Sequence, residues 1–220
     1  INYKIAHQQA PEKPFIYLFN CKPLDDSYFK DTPKLLAEFL PEYIQYVGCG
    51  DTNEIQSIVS QMYDDVSNGA NSIDTDKYFF VFGYQRAEEL KSEIQLSQSE
   101  DIDSLFNIMP SSSSSSRLSL KEMFRTIVKD GAQKGVHTLI WQDSFNALYQ
   151  DDKDIMSYFS MKIAFDMSPE EYSRFVSAND VSLMSENNAI YYNRARDNQK
   201  FRPYQSPDED WLKNISDKLK

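Results

Sequence analysis

Short apolar runs alternate along this chain with stretches whose apolar residues recur at helical spacing, and this alternation predicts most of the elements. Phe15–Cys21 (FIYLFNC) follows a proline-rich break and reads as a buried strand. Thr32-Pro33 opens a helix over KLLAEFL, with an N-cap and a proline at the first helical position. YIQYVG is a short strand candidate. Asp51 or Thr52 then caps a helix whose apolar positions are Ile55, Ile58, Val59, Met62 and Val66. Lys77–Tyr84 (KYFFVFGY) is a second apolar strand, and QRAEELKSEI leaves it as a polar helix or turn.

The second half repeats the alternation. Ser119 with Glu122 three residues on is a capping box before the face Leu120, Met123, Phe124, Ile127 and Val128. Gly131 and Gly135 end that helix and let the chain turn tightly into VHTLIW, the third strong strand. A short helix is expected around Ser144 to Tyr158, and SMKIAFDM is the fourth strand. Ser168-Pro169 starts another helix, NAIYYNRA is a late strand, and Ser206-Pro207 opens the C-terminal helix. Residues 97–117 are polar, acidic and then serine-rich, ending in a run of serines from Ser111 to Ser116. That composition buries little, so a mobile loop is expected.

Strands alternating with amphipathic helices predict an α/β domain over 1–220 with a mostly parallel sheet covered on both faces. Such sheets bind ligands at the carboxyl ends of their strands. The residues to weigh are therefore Cys21-Lys22, Gly83-Tyr84, Gln142-Asp143 and Asp166.

Composition narrows the chemistry. A formal net charge of −11 disfavours nucleic-acid binding by the chain alone. The cysteines Cys21 and Cys49 and the histidines His7 and His137 have no metal-ligand spacing, so reduced thiols and no metal are expected. No apolar run is long enough to span a membrane, and INYKIAHQQ has no signal-peptide pattern, so a cytoplasmic chain without membrane contact is expected. The missing initiator methionine reads as a piece of something longer. The acids Asp151, Asp152 and Asp154 read as a solvated charge cluster, and Glu88 and Glu89 as a solvated helix face.

The strand ends also resemble a known family. GVHTLIWQDS is similar to the glycine-x-His-strand-sensor segment of FtsK/SpoIIIE-type ATPases, the ring-forming DNA-pumping motors. KIAFDMSPEEYSRFV follows at a spacing like that of the family's next strand and helix, and NAIYYNRARDNQKFRPYQSPDEDWL resembles the tail of its long multi-domain branch. The resemblance covers nearly the whole chain. It implies a three-layer RecA-like fold of the P-loop NTPase type lacking the P-loop strand and helix start, with INYKIAHQQAPEKP similar to the helix that follows the loop and the loop itself expected just upstream. Gln142 and Asp143 would then lie where the family senses the terminal phosphate, with Gly83, Tyr84 and Lys22 near the nucleotide. The alternative for Asp143 is a helix cap, shared with Ser144. Arg174 would reach a neighbouring subunit's nucleotide, or else pair with Glu170 on its own helix.

The motor motifs themselves are missing. No G-x-x-x-x-G-K-[ST] loop exists, and GCGDTNE offers no lysine to a phosphate. The strand resembling Walker B ends in Gly83-Tyr84-Gln85, with no acid to hold Mg²⁺ or activate water. The expectation is a degenerate, non-hydrolysing module of an FtsK-like motor that moves DNA or exports protein. No cofactor is expected for the chain itself; ATP and Mg²⁺ belong to the parent protein. Its partners would be other domains or subunits of that motor, in a homo-oligomer, with nucleic acid only in the full assembly. The alternative is an interaction module with the same fold and no nucleotide.

Overall fold

A computed structural model describes residues 14–22, 32–68, 76–93, 118–152, 154–176, 188–193, 196–204 and 207–219. Four strands, β1 (Ile16–Asn20), β2 (Ile44–Gly48), β3 (Lys77–Phe82) and β4 (Val136–Trp141), form one sheet in the order β2-β1-β3-β4. Every pairing in it is parallel. The serine-rich segment expected at 97–117 lies outside the described residues, as do INYKIAHQQ and His7.

Side chains along the strands divide between two cores, which is why these runs are apolar on both faces. Tyr17, Phe19, Phe79 and Val81 pack with α2 (Thr52–Ser67) and α4 (Leu120–Asp130). Ile16, Leu18 and Phe80 face the opposite side, toward α1 (Thr32–Phe39) and α8 (Glu209–Leu219). The predicted helical faces are the buried ones: Ile55, Ile58, Val59, Met62 and Val66 on α2, and Leu120, Phe124, Ile127 and Val128 on α4. The chain is therefore α/β, with helices on both faces of a parallel sheet.

The capping box at Ser119 forms in full, its side chain accepting from the Glu122 N–H while the Glu122 carboxylate accepts from the Ser119 N–H at 2.8 Å. The two glycines of the helix-to-strand turn do different jobs. Gly135 takes φ 78°, and a Cβ on Gly131 would stand 2.8 Å from the Val136 carbonyl oxygen. Two expected caps differ. Asp51 precedes α2 but makes no side-chain cap bond, and α8 starts at Glu209 with Asp208 accepting from the Trp211 N–H at 2.8 Å, the expected cap Ser206 lying outside the described residues.

Past β4 the architecture changes. The expected helix at 144–158 is two pieces, α5 (Phe145–Asp152) and α6 (Ile155–Tyr158). The fourth predicted strand exists as β5 (Met161–Ala164), but it does not join the parallel sheet. It pairs antiparallel with β6 (Ala189–Asn193), which pairs antiparallel with β7 (Arg196–Phe201), a strand too polar to be legible as one. The helix α7 (Pro169–Val176) packs Tyr172 and Val176 onto this second sheet. Trp141 and Phe165 meet with ring centroids 5.3 Å apart, so the ends of β4 and β5 lie side by side.

Candidate functional site at the strand ends

The register of the parallel sheet decides which residues stand level at its carboxyl edge. The last paired rows are Asn20 with Gly48, Asn20 with Phe82, and Phe82 with Trp141. One residue further on, Cys49, Cys21, Gly83 and Gln142 form a row across all four strands. Backbone bonds from Cys49 N to Asn20 O (3.0 Å), Cys21 N to Phe82 O (2.8 Å) and Gly83 N to Trp141 O (3.0 Å) hold it. Just past it, the Lys22 side chain reaches within 3.2 Å of Asp143. The ends of β1, β3 and β4 named from the sequence stand side by side, and β2 completes the sheet in place of β5, so Asp166 does not join that edge.

On the β3–β4 side Asp143 is the hub. Its Oδ2 accepts from Gln85 Nε2 at 2.6 Å and from an Arg86 guanidinium nitrogen at 3.1 Å. Its Oδ1 accepts from Trp141 Nε1 at 3.2 Å and lies 3.2 Å from Lys22 Nζ. The Lys22 side chain is only 7% exposed and lies over the Trp141 ring, 5.0 Å from its centroid. Burial alone would raise the Asp143 pKa, but the Arg86 and Lys22 hydrogen bonds hold it below the ordinary carboxylate range. Ser144, not Asp143, caps α5, its hydroxyl accepting from the Ala147 N–H at 3.4 Å. Asp143 is thus not the helix cap; it is an ion-pair hub at the end of β4.

Three other expected nucleotide neighbours land differently. Tyr84 is 1% exposed, with its ring against Phe124 at 5.7 Å and Lys91 Nζ over it at 5.5 Å, so it belongs to the core. Gly83 closes the seam between β1 and β3. It takes φ 71°, and a Cβ there would stand 3.0 Å from both the carbonyl carbon and oxygen of Cys21. Gln142 is turned inward: both polar atoms of its amide are buried and find no hydrogen-bond partner. Arg174 is exposed on α7 and forms no ion pair with Glu170 or another described carboxylate. Asp166 follows Phe165 on the exposed surface beside the end of β4.

The β1–β2 side holds what the sequence reading missed. Glu89 lies on α3 (Glu88–Lys91) and is not on a solvated face. Its Oε1 accepts from the Gly50 N–H at 2.8 Å, while its Oε2 is buried and accepts no hydrogen bond. The Cys21 and Cys49 sulfurs and a Glu89 carboxylate oxygen all lie within 4.8 Å of one another. Burial, and then the Cys49 thiol beside it, push the Cys21 thiol well above the ordinary cysteine range. The expectation of no metal site rested on sequence spacing, and parallel strand register brings the two cysteines together without any local motif.

In the acidic cluster at 151–154, Asp154 is exposed as expected, but Asp152 is not solvated. Asp152 is buried, and its carboxylate is gripped by Arg125 at 2.7 and 3.1 Å while accepting from the Ile155 N–H at 3.2 Å. It is a structural tie between α4 and the start of α6.

Fold and rim together define an α/β protein whose polar groups converge at the carboxyl edge of a parallel sheet. The chain matches no protein-family model, no curated protein and no solved structure. No described helix is long and apolar enough to cross a membrane.

Proposed function

We propose that the chain is a RecA-like module of an FtsK/SpoIIIE-type motor that does not itself hydrolyse ATP. One observation carries the non-hydrolysing part of this reading, while the motor family rests on the sequence resemblance alone. The acid at the β3–β4 end of the rim, Asp143, is already held by Lys22, Arg86, Gln85 and Trp141. Hydrolysis at such a rim needs a carboxylate free to hold the water shell of Mg²⁺ and another to activate water. Asp143 is neutralised by two cations, and Gly83-Tyr84-Gln85 supplies no acid in its place. The four-strand parallel sheet with helices on both faces supports the fold assignment, while the separate antiparallel β5-β6-β7 sheet departs from it. Among the described residues β4 pairs only with β3 and β5 only with β6, and both carry exposed apolar side chains: Leu139, Met161 and Ile163.

Those apolar residues favour a second reading, an interaction module of the same fold in which the open side of β4 and β5 meets a protein partner and no nucleotide binds. Phosphate release measured with and without Mg²⁺ tests the first reading. The expected result is no Mg²⁺-dependent turnover, in the native chain and in Asp143→Asn alike. Turnover that Asp143→Asn abolishes would overturn it. Thermal melting of the full-length protein with Mg·ATP separates the two readings. Nucleotide at one hundred times its Kd adds about 2.7 kcal/mol, and no shift assigns the interaction module.

A further inference from the structure

We propose that Cys21, Cys49 and Glu89 form a binding site for one thiophilic divalent cation of the Zn²⁺ class, clasping the ends of β1 and β2 to α3. The three ligand atoms come from three separate elements and lie within 4.8 Å of one another. Zn²⁺ bonds thiolate sulfur at about 2.3 Å and carboxylate oxygen at about 2.0–2.2 Å, which sets tetrahedral ligand atoms roughly 3.4–3.8 Å apart. Closing the triad by about 1 Å is within reach of side-chain rotation alone, since the backbone row is fixed by sheet bonds. Two sulfurs and one carboxylate suit a borderline-soft ion and not Mg²⁺ or Ca²⁺, which take oxygen ligands.

A second observation, independent of the thiols, points to a ligand. Glu89 Oε2 is buried without any hydrogen-bond partner, while Oε1 is fixed by the Gly50 N–H at 2.8 Å. A buried carboxylate oxygen left unpaired is costly, and a cation beside it removes that cost. The Gly50 N–H acts as the outer partner that orients a ligating carboxylate. Cys49 is exposed, so the fourth position of a tetrahedral ion opens toward water.

A Cys21–Cys49 disulfide is the competing chemistry for the same sulfurs. It would leave Glu89 Oε2 as unpaired as before. The cation accounts for all three residues, and the disulfide for two.

The test uses the reduced chain with Co²⁺ as spectroscopic probe and Zn²⁺ in competition with a chromophoric chelator. The expected result is one equivalent of Co²⁺ bound with a thiolate-to-cobalt charge-transfer band, displaced by Zn²⁺. Cys49→Ser, at an exposed position, abolishes the band with the far-UV circular dichroism unchanged. Glu89→Gln keeps an acceptor for Gly50 and weakens Zn²⁺ binding at least ~10- to 100-fold, the range that even outer partners of a metal produce. The proposal is overturned if the reduced chain shows no charge-transfer band, or if either variant binds Zn²⁺ as tightly as the native chain. Stoichiometric Cys21–Cys49 disulfide in air, with no metal uptake after reduction, equally overturns it.

Discussion

On the β3–β4 side of the rim, one carboxylate, Asp143, collects four donors and two positive charges. On the β1–β2 side, another carboxylate, Glu89, collects one backbone N–H and keeps a buried oxygen with nothing to accept from. The two acids stand at the edge of the same sheet, on either side of the Gly83 seam. Their difference lies in what faces them: Lys22 and Arg86 in one case, two cysteine thiols in the other. A carboxylate already paired with lysine and arginine is a poor metal ligand, because the ion would have to displace charge that is in place. A carboxylate beside two thiols faces groups that can join it in holding a thiophilic cation. The closed half therefore reads as structure and the open half as a site.

The seam between the halves is the most sensitive place to disturb this contrast. Gly83→Ala puts a Cβ against the Cys21 carbonyl and forces a side chain into the left-handed region, so a loss of about 2–4 kcal/mol is expected in urea unfolding. A variant that unfolds at the native midpoint would mean the two halves are not locked together there. Asp152→Ala gives the measure for a fully satisfied acid. Its carboxylate is 3% exposed and holds both Arg125 and the Ile155 N–H, while Arg125 at 38% exposure still reaches water, so the expected cost is about 2–3 kcal/mol.

Asp143→Asn should cost less, about 1–2 kcal/mol at neutral pH, because the acid is 38% exposed and its ion pairs are partly screened. The pH profile sharpens this. The folded-state pKa of Asp143 is depressed, so its contribution is fully present above the unfolded aspartate value of about 3.9. It is lost as the pH falls below that toward the folded value. The stability gap between native chain and Asp143→Asn should therefore be constant from neutral pH down to that value and narrow below it. A gap that widens in acid would reverse the assigned charge state. Smallest of all is Glu89→Gln in metal-free buffer, expected within about 0.5 kcal/mol because glutamine keeps the acceptor for Gly50. A large loss there would mean that Glu89 already has a structural partner, and the contrast between the halves would disappear.

How far the sequence reached can be traced residue by residue. Strands β1 to β4 were legible because each is an apolar run too short for a helix and bounded by turn residues. The buried faces of α2 and α4 followed from spacing, and Ser119 with Glu122 from the capping pattern. β7 was not legible, because RDNQKF carries charge along an edge and gains strand geometry from β6 alone. Glu89 and Asp152 were misread as solvated for the same reason. A local window shows acid among acids, and the partners that decide burial, Gly50 and Arg125, come from other elements.

The sequence by itself determined the class of fold and the two-sided burial of the sheet, because these depend on periodicity and strand length. Only the tertiary structure decided which strands are neighbours, and with that which charges meet. The row that sets Cys49 beside Cys21 and Gly83 is fixed by hydrogen-bond register between strands separated by whole helices. Register comes from the packing of both sheet faces at once, and no short stretch of chain contains it.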